Sequence, residues 1–223
     1  MSSSALTALL LSLKVSLVAT LVVLPPGIAL GLLFARRSFP GKSIVETLTY
    51  LSLVLPPTAV GYLLLSLLAR HGPLGVNALG FDLDLLFTWK GAVLASAVMA
   101  LPLVVRTARI AFEGVNPRLE SMGRTLGMGP LRVLWEITLP LARRGMLASG
   151  VLGFSRALGE FGATVIVAGN IPGKTQTLAL AIFNDIQIGR DDEARWLVGL
   201  TAVLAFVAIW ISERLLSQRR KRA

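Results

Sequence analysis

Two ionisable residues lie in the middle of an apolar stretch and are the first candidates for chemistry. Arg156 and Glu160 are the only charged residues between Arg144 and Lys174. Residues four apart share one face of a helix, so these two can form an ion pair. A charged side chain inside a bilayer costs at least ~2.5–3.5 kcal/mol, so it is expected to be paired or to face an interior. Two interpretations stay open: a structural pair that holds its helix in register, or an arginine that attracts an anion while the glutamate moderates its potential.

Small and kinking residues surround this pair and recur in an earlier segment. Gly159 and Gly162 flank Glu160, and close helix packing alone is a sufficient reason for such small residues. A sharper hypothesis is that the stretch GEFGAT bends or unwinds and offers Thr164 and backbone groups to an anion. Consecutive prolines remove two backbone donors, so the PPT sequence at 56–58 predicts a matching kink. The candidate pathway residues are Pro56, Pro57, Thr58, Arg156, Gly159, Glu160, Gly162 and Thr164.

Residues suited to catalysis or metal binding are scarce. The chain has no cysteine and one histidine, His71, which lies beside Gly72 and Pro73 in a predicted loop. No H-E-x-x-H, G-x-S-x-G or phosphate-binding P-loop motif occurs. We therefore expect no catalytic residue, no cofactor and no metal, which disfavours an intramembrane protease or transferase. A membrane chain without a P-loop must take its energy from a separate protein.

The elements that position these residues are apolar blocks of membrane-spanning length. Of the 223 residues, 54% are hydrophobic and 15% are charged, against ~25% charged in a soluble domain. A bilayer core of ~30 Å needs ~20 apolar residues as a helix. The blocks predict an all-α integral membrane protein, a single transmembrane domain over 1–223, with five spans at about 10–35, 45–70, 86–108, 141–169 and 193–214. The first block lacks a basic start and a cleavage site, so we expect a retained span rather than a signal peptide.

The distribution of positive charge predicts the orientation, because cytoplasmic loops carry an excess of Lys and Arg. With the N-terminus outside and the C-terminus inside, most of the 22 Lys and Arg residues are cytoplasmic: Arg36, Arg37, Lys42, Arg106, Arg109, Arg118, Arg124, Arg132, Arg143, Arg144, Arg214, Arg219, Arg220, Lys221 and Arg222. Topology and anionic lipid headgroups thereby explain the net charge of +10. The basic runs border spans and have no interleaved aromatic residues to stack on bases, so we expect no nucleic-acid partner.

The polar segment between the third and fourth spans, at about 114–137, carries signals for two short helices. Asn116 is a suitable N-cap followed by a proline at the first helical position, and Gly127 suits the left-handed residue that ends a helix. A glycine–proline pair at 129–130 then predicts the start of a second short helix. The apolar positions of the two helices are Leu119, Met122, Leu126, Leu131, Leu134 and Trp135. The pattern leaves two interpretations open, an interfacial helix pair on lipid headgroups or a docking surface for a soluble partner.

The order of residues in this segment resembles the EAA loop of ABC-transporter permeases. That loop reads E-A-A, three residues, G, nine residues and I-x-L-P; here Gly127 is followed after nine residues by ITLP at 137–140. The places of the triplet hold SMG at 121–123, and Glu120 lies one position early. The resemblance implies that the loop docks into an ATPase subunit and transmits its movement. The coupling residues that it implies are Glu120, Ser121, Gly123, Arg124, Leu126, Gly127, Gly129, Ile137, Leu139 and Pro140.

Three further stretches are similar to molybdate permeases. They are RALGEFGATVIVAGNIPGKTQT at 156–177, VLPPTAVGYLLL at 54–65 and FPGKS at 39–43. Sulfate permeases are relatives that typically carry a GEYGS-type version of the first stretch. The residues FGAT at 161–164 favour the molybdate branch.

This resemblance extends over nearly the whole chain and implies an ABC type I importer permease fold in the cell membrane, the inner or cytoplasmic membrane. It further implies a homodimer of permeases, two ABC ATPase subunits on the cytoplasmic side, a periplasmic or extracellular molybdate-binding protein, and alternating access driven by ATP. Molybdate is the expected substrate, together with tungstate, a near-isosteric dianion. The alternatives are a permease for sulfate, thiosulfate or another tetrahedral oxyanion and, in a different class, a passive channel or structural membrane subunit.

Overall fold

A computed structural model of the protein describes residues 3–217, and this part of the chain is helical, with one π-helical turn and no strand. The helices are α1 (Ser3–Arg36), α2 (Lys42–Val54), α3 (Pro57–Leu68), α4 (Val76–Leu79), α5 (Trp89–Glu113), α6 (Pro117–Thr125), α7 (Pro130–Val133), α8 (Leu139–Leu158), α9 (Gly162–Ala168), α10 (Leu178–Gln187) and α11 (Asp191–Ser217). The basic residues Arg219, Arg220, Lys221 and Arg222, predicted to be cytoplasmic, lie outside the described residues.

Three of the described helices are long and apolar enough to cross a membrane, over Ser4–Arg36, Trp89–Glu113 and Asp191–Arg214. They coincide with the first, third and fifth predicted spans. Two bent helix pairs pass the same test together, so the described chain has up to five spans if each pair counts as one. The two bends fall within the second and fourth predicted spans.

The second predicted span is not one kinked helix. α2 ends at Val54, α3 begins at Pro57, and the two helices are bent by 114° relative to each other. Leu55 and Pro56 adopt extended backbone, with ψ of 140° and 134°, because a residue before proline is driven out of the α region. Each half is about 20 Å long or less at 1.5 Å per residue, which is short of a ~30 Å hydrocarbon core. The prolines therefore separate two half-helices.

The fourth predicted span is also divided. The helix over Pro130–Leu158 is bent by 65° relative to α9, and Gly159, Glu160 and Phe161 lie between them. Gly159 closes the last turn of α8 by donating its N–H to the Ser155 carbonyl at 3.3 Å. The GEFGAT stretch thus bends, as its glycines predict.

The core forms where α1, α5 and α8 pack through small residues, and α5 is the most buried of the three long apolar helices. An added Cβ at Gly27 would lie 2.6 Å from Val104 Cγ1, and one at Gly31 would lie 2.8 Å from Ala108 Cβ. Glycines at such contacts let helix backbones approach closely. α9 packs on α3 and α5, α10 packs on α1 and α11, and α11 packs on α8. Both bent helix pairs are therefore held beside one central helix.

Candidate functional site

The polar segment after α5 folds as its local signals predict. Asn116 Oδ1 accepts a hydrogen bond from the Arg118 N–H at 3.0 Å, and Pro117 occupies the first position of α6. Gly127 adopts φ +82°, the left-handed conformation that favours glycine, and its N–H donates to the Arg124 carbonyl at 3.0 Å. The predicted N-cap and helix end are confirmed.

The predicted start of a second helix at Gly129-Pro130 is confirmed, but the prediction that this helix is short is wrong. Residues Pro130–Leu158 form one helix, in which α7 continues through a π-helical turn (Leu134–Thr138) into α8. Pro140 follows this turn; proline lacks an N–H and its ring crowds the carbonyl four residues earlier, so a wider turn accommodates it without a break. The ITLP residues 137–140 therefore lie within a long helix rather than in a loop.

The apolar side chains of α6 and of the following turns lie on the outside of the chain. Leu126 is 81% exposed and Trp135 is 69% exposed. We call the exposed apolar set the coupling face, and it consists of Leu119, Met122, Leu126, Leu131 and Trp135. The other predicted coupling residues that are exposed are Ser121, Arg124, Gly127, Gly129 and Pro140, whereas Ile137 and Leu139 are half-buried. A grouped apolar set of this kind is typical of a binding surface.

Glu120 is buried and does not belong to the coupling face. Its Oε1 accepts hydrogen bonds from Arg36 Nη2 and from Thr138 Oγ1, each at 2.8 Å. The carboxylate therefore joins α6 to the end of α1 and to the π-turn. Gly123 is also buried, and an added Cβ there would lie 2.7 Å from Ile137 Cδ1. Two of the residues predicted for the loop thus support it from within.

Arg156 and Glu160 form an ion pair at the break between α8 and α9. Arg156 Nη1 lies 2.7 Å from Glu160 Oε2. The other carboxylate oxygen, Oε1, accepts a hydrogen bond from the Ala163 N–H at 2.9 Å and so satisfies a donor in the first turn of α9. The Glu160 side chain is 1% exposed, whereas that of Arg156 is 28% exposed. The pair therefore holds the bend, and one flank of the arginine stays accessible.

The two helix breaks contact each other. An added Cβ at Gly162 would lie 2.8 Å from Pro57 Cβ and 3.2 Å from the Thr58 nitrogen. An added Cβ at Gly61 would lie 2.9 Å from Ala163 Cα. The structure thus brings together Pro57, Thr58 and Gly162, which the sequence places more than a hundred residues apart.

The remaining candidate pathway residues differ in exposure. Pro56 and Gly159 are exposed at their respective breaks. Thr164 is fully buried in α9, and its Oγ1 has no hydrogen-bond partner among the described residues. Most buried polar atoms in proteins are hydrogen-bonded, so an unpartnered hydroxyl next to a helix break is an unusual feature.

Two residues of the site were missed by sequence reasoning. Arg36 and Thr138 bind Glu120 from positions 84 and 18 residues away in the chain. In the sequence, Arg36 is recognisable only as a charged residue at the end of a predicted span, and Thr138 only as part of the ITLP sequence. Contacts between distant segments leave no periodic pattern, so no signal in the sequence could have paired these side chains.

Comparisons with known proteins identify a transporter family. Residues 27–222 match the family described as binding-protein-dependent transport system inner membrane component. The chain is 47% identical over 218 residues to the molybdenum transport system permease protein ModB of Escherichia coli (strain K12). The aligned residues are 97% of this chain and 95% of that protein. It is 43% identical over 219 residues to ModB of Haemophilus influenzae, covering 97% of this chain and 96% of that protein.

A sulfate permease and a solved structure are also similar. The sulfate transport system permease protein CysT of Salmonella typhimurium is 35% identical over 161 residues, which are 72% of this chain and 58% of that protein. The crystal structure of a bacterial ABC transporter involved in the import of the acidic polysaccharide alginate superposes with a TM-score of 0.77 at 19% identity, covering 100% of this chain and 82% of that chain. At that identity the structural match shows the shared fold. The chain therefore belongs to the family of binding-protein-dependent transport system inner membrane components, and it is an ABC-transporter permease, a membrane transport component rather than a catalyst.

Proposed function

We propose that this chain is the membrane-spanning permease subunit of an ATP-driven importer that carries molybdate into the cytoplasm by alternating access. The observation that carries the proposal is the 47% identity, over nearly the whole chain, to a permease named for molybdenum transport. Tungstate is proposed as a second substrate because it is a tetrahedral dianion of nearly the same size. The features of the two helix breaks and of the coupling face support the same function.

The helix breaks supply groups that suit an oxyanion. Broken helices expose backbone donors at membrane depth, which is tolerated where the backbone is buried in protein or lines a water-filled cavity. Arg156 adds positive potential, and its ion pair with Glu160 at 2.7 Å moderates that potential. Such a site attracts a dianion without trapping it, as a transport pathway requires. The proposed pathway residues are Pro56, Pro57, Thr58, Arg156, Gly159, Glu160, Gly162 and Thr164.

The coupling face is proposed to dock into an ABC ATPase subunit. Its exposed apolar side chains flank the left-handed turn at Gly127, so two helical segments present anchors that fit a groove. Ser121, Arg124 and Gly129 lie exposed beside these anchors. The chain has no P-loop of its own. The energy for transport therefore comes from ATP hydrolysis by the separate subunit.

The proposed importer contains two copies of this chain, two ABC ATPase subunits on the cytoplasmic side and a periplasmic or extracellular molybdate-binding protein. We propose five spans, with each bent pair counted as one, an N-terminus outside and a C-terminus inside. The excess of Lys and Arg on the proposed cytoplasmic side supports this orientation. The bond between Glu120 and Arg36 supports the five-span arrangement, in which the end of α1 and the coupling segment lie on the same side of the membrane.

A permease for sulfate or thiosulfate is the second candidate. It is favoured by the 35% identity to a sulfate permease. Sulfate is also a tetrahedral dianion, and an arginine flank with backbone donors suits either anion. The lower identity and shorter coverage rank this candidate below molybdate.

Reconstitution of the permease with its ATPase subunit and binding protein in proteoliposomes tests the proposal. We expect uptake of labelled molybdate that requires both ATP and the binding protein, and that tungstate inhibits more strongly than an excess of sulfate does. Preferential uptake of sulfate would instead support the second candidate. Molybdate flux that persists without ATP or the ATPase subunit would indicate a passive channel and contradict the proposal.

A further inference from the structure

The Glu120 carboxylate joins three segments that are distant in the chain. Its Oε1 accepts hydrogen bonds from Arg36 Nη2 at the end of α1 and from Thr138 Oγ1 in the π-turn, each at 2.8 Å. The same Arg36 nitrogen donates to the Val115 carbonyl at 3.2 Å, just before α6 begins. Glu120 is 7% exposed, whereas the Arg36 side chain is 22% exposed, so the carboxylate end of these bonds is the buried one. A single buried oxygen therefore ties α6 to α1 and to the start of the long helix that contains α8.

A groove of about 870 Å³ lies between the end of α1 and the segment that holds α6 and α7. On its other side, α6 packs against α7 and the π-turn, where Gly123 meets Ile137. The residues that line the groove include Leu32, Leu33, Arg36, Glu120, Arg124 and Pro130. Because open space separates the two walls, the Glu120–Arg36 ion pair is a direct link across it.

A partly buried, hydrogen-bonded ion pair makes a directional connection. Hydrogen bonds between charged partners are shorter than neutral ones and about twice as strong. Loss of Arg36 would leave the buried Glu120 carboxylate without its charge partner, which is unfavourable. α6 therefore cannot move away from α1 without breaking this bond. α1 packs along α5 and α8. A displacement of α1 would therefore also displace α8, which ends at the break at Gly159.

We propose that the Glu120–Arg36 ion pair is the joint through which movement of α6 reaches the membrane helices. The inference rests on the proposed docking of the coupling face into an ATPase subunit. Both residues are positioning residues, which hold α6 in a fixed relation to α1 and act through those helices rather than on nucleotide or anion. Glu120 thus contacts other parts of the permease rather than the ATPase subunit. It does so although its position in the EAA-like sequence is the nearest to that of the motif's glutamate.

Isosteric and charge-conserving variants separate this role from a general effect on folding. Glu120→Gln keeps an acceptor for the Thr138 hydroxyl but removes the charge that faces Arg36. Arg36→Met removes the cation, whereas Arg36→Lys keeps it. Glu113→Gln is the matched control, because it breaks the ion pair between Arg109 Nε and Glu113 Oε1 (2.7 Å) at the end of α5, outside the joint.

The quantity to measure is molybdate transported per ATP hydrolysed in proteoliposomes that contain the complete importer. We expect Glu120→Gln and Arg36→Met each to lower this ratio by roughly fivefold or more, the lower range of coupling between distant sites. Arg36→Lys should retain most of the wild-type ratio, and Glu113→Gln should equal it. The double variant Glu120→Gln/Arg36→Met should be no worse than either single variant, because each change already removes the same link.

A cysteine crosslink from Leu126→Cys to the ATPase subunit distinguishes failure of the joint from failure of docking. If the crosslink forms and both neutral variants keep the wild-type ratio, the joint is refuted while the docking proposal stands. If the crosslink does not form in an otherwise unaltered permease, the docking proposal itself fails and the joint fails with it. If Glu120→Gln does not accumulate in the membrane, the contrast between Arg36→Met and Arg36→Lys decides the question.

Discussion

Gly162 lies so close to Pro57 that an added Cβ at Gly162 would be 2.8 Å from the proline Cβ. The contact joins the break between α8 and α9 to the break between α2 and α3. Two bent helix pairs, one from each half of the chain, therefore share a point at which there is no room for a further methyl group. A side chain larger than that of glycine at position 162 would therefore disturb both breaks.

Gly162→Ala is expected to disturb both breaks. The added methyl group must displace Pro57 or the Thr58 backbone, and overpacking of this kind typically costs about 1–3 kcal/mol. We expect a lower unfolding temperature in detergent and reduced molybdate uptake. Gly199→Ala in α11 is the control, because no heavy atom lies within 4 Å of an added Cβ there. Equal stability and uptake in the two variants would show that the contact at Gly162 is not tight.

Arg156→Met is expected to be more harmful than Glu160→Gln. The methionine leaves the Glu160 carboxylate, 1% exposed, without its charge partner, and breaking a buried pair in this way typically costs about 3–5 kcal/mol. The glutamine keeps an acceptor for the Ala163 N–H, and the charge that it leaves unpaired is on Arg156, whose side chain is 28% exposed and therefore partly solvated. Membrane level, thermal unfolding and uptake should all follow this order, and the double variant should be more stable than Arg156→Met alone. If both single variants assembled and transported normally, neither the structural nor the pathway role of the pair would survive.

Leu126→Asp is expected to weaken binding of the ATPase subunit without unfolding the permease. Leu126 is 81% exposed, so the permease itself loses no buried packing. An apolar anchor at the centre of an interface typically contributes about 2 kcal/mol or more, and a roughly tenfold or larger loss of affinity should appear in co-purification. Leu74→Asp, at an exposed leucine in the segment between α3 and α4, serves as the control. Unchanged co-purification of the Leu126 variant would argue that the coupling face rests on lipid headgroups instead.

Thr164→Val tests whether the unpartnered hydroxyl has a role in transport. The Oγ1 atom makes no hydrogen bond among the described residues, so its removal should change the free energy of unfolding by less than about 1 kcal/mol. If the hydroxyl contacts the anion during transport, uptake at limiting molybdate falls in Thr164→Val and is preserved in Thr164→Ser. Thr177 has a similarly buried and unpartnered Oγ1, so Thr177→Val controls for loss of a hydroxyl as such. Equal uptake in both valine variants would remove Thr164 from the pathway.

Local features of the polar segment were predictable because they depend on neighbours in the chain. The cap at Asn116 and the left-handed Gly127 follow from preferences that operate within one helical turn. The burial of Glu120 was not predictable in the same way. Its partner Arg36 lies 84 residues away, and the pairing depends on how α1 and α6 are brought together. The continuation of α7 into α8 was also missed, because a π-turn before Pro140 has no reliable sequence signal.

The sequence by itself determined that the chain is helical and membrane-embedded and where its capped turns lie, because hydropathy and capping act over short distances. Only the tertiary structure decided which proline pair breaks a helix. Residues 25–26 and 56–57 are both Pro-Pro, yet the first pair lies inside α1, whereas α2 and α3 are separated at the second by a bend of 114°. α1 is packed along α5, with Gly27 and Gly31 in close contact, whereas α2 has no buried residue. The two proline pairs therefore have different tertiary surroundings, since α1 runs continuously along α5, whereas α3 begins at Pro57 in contact with Gly162 of α9.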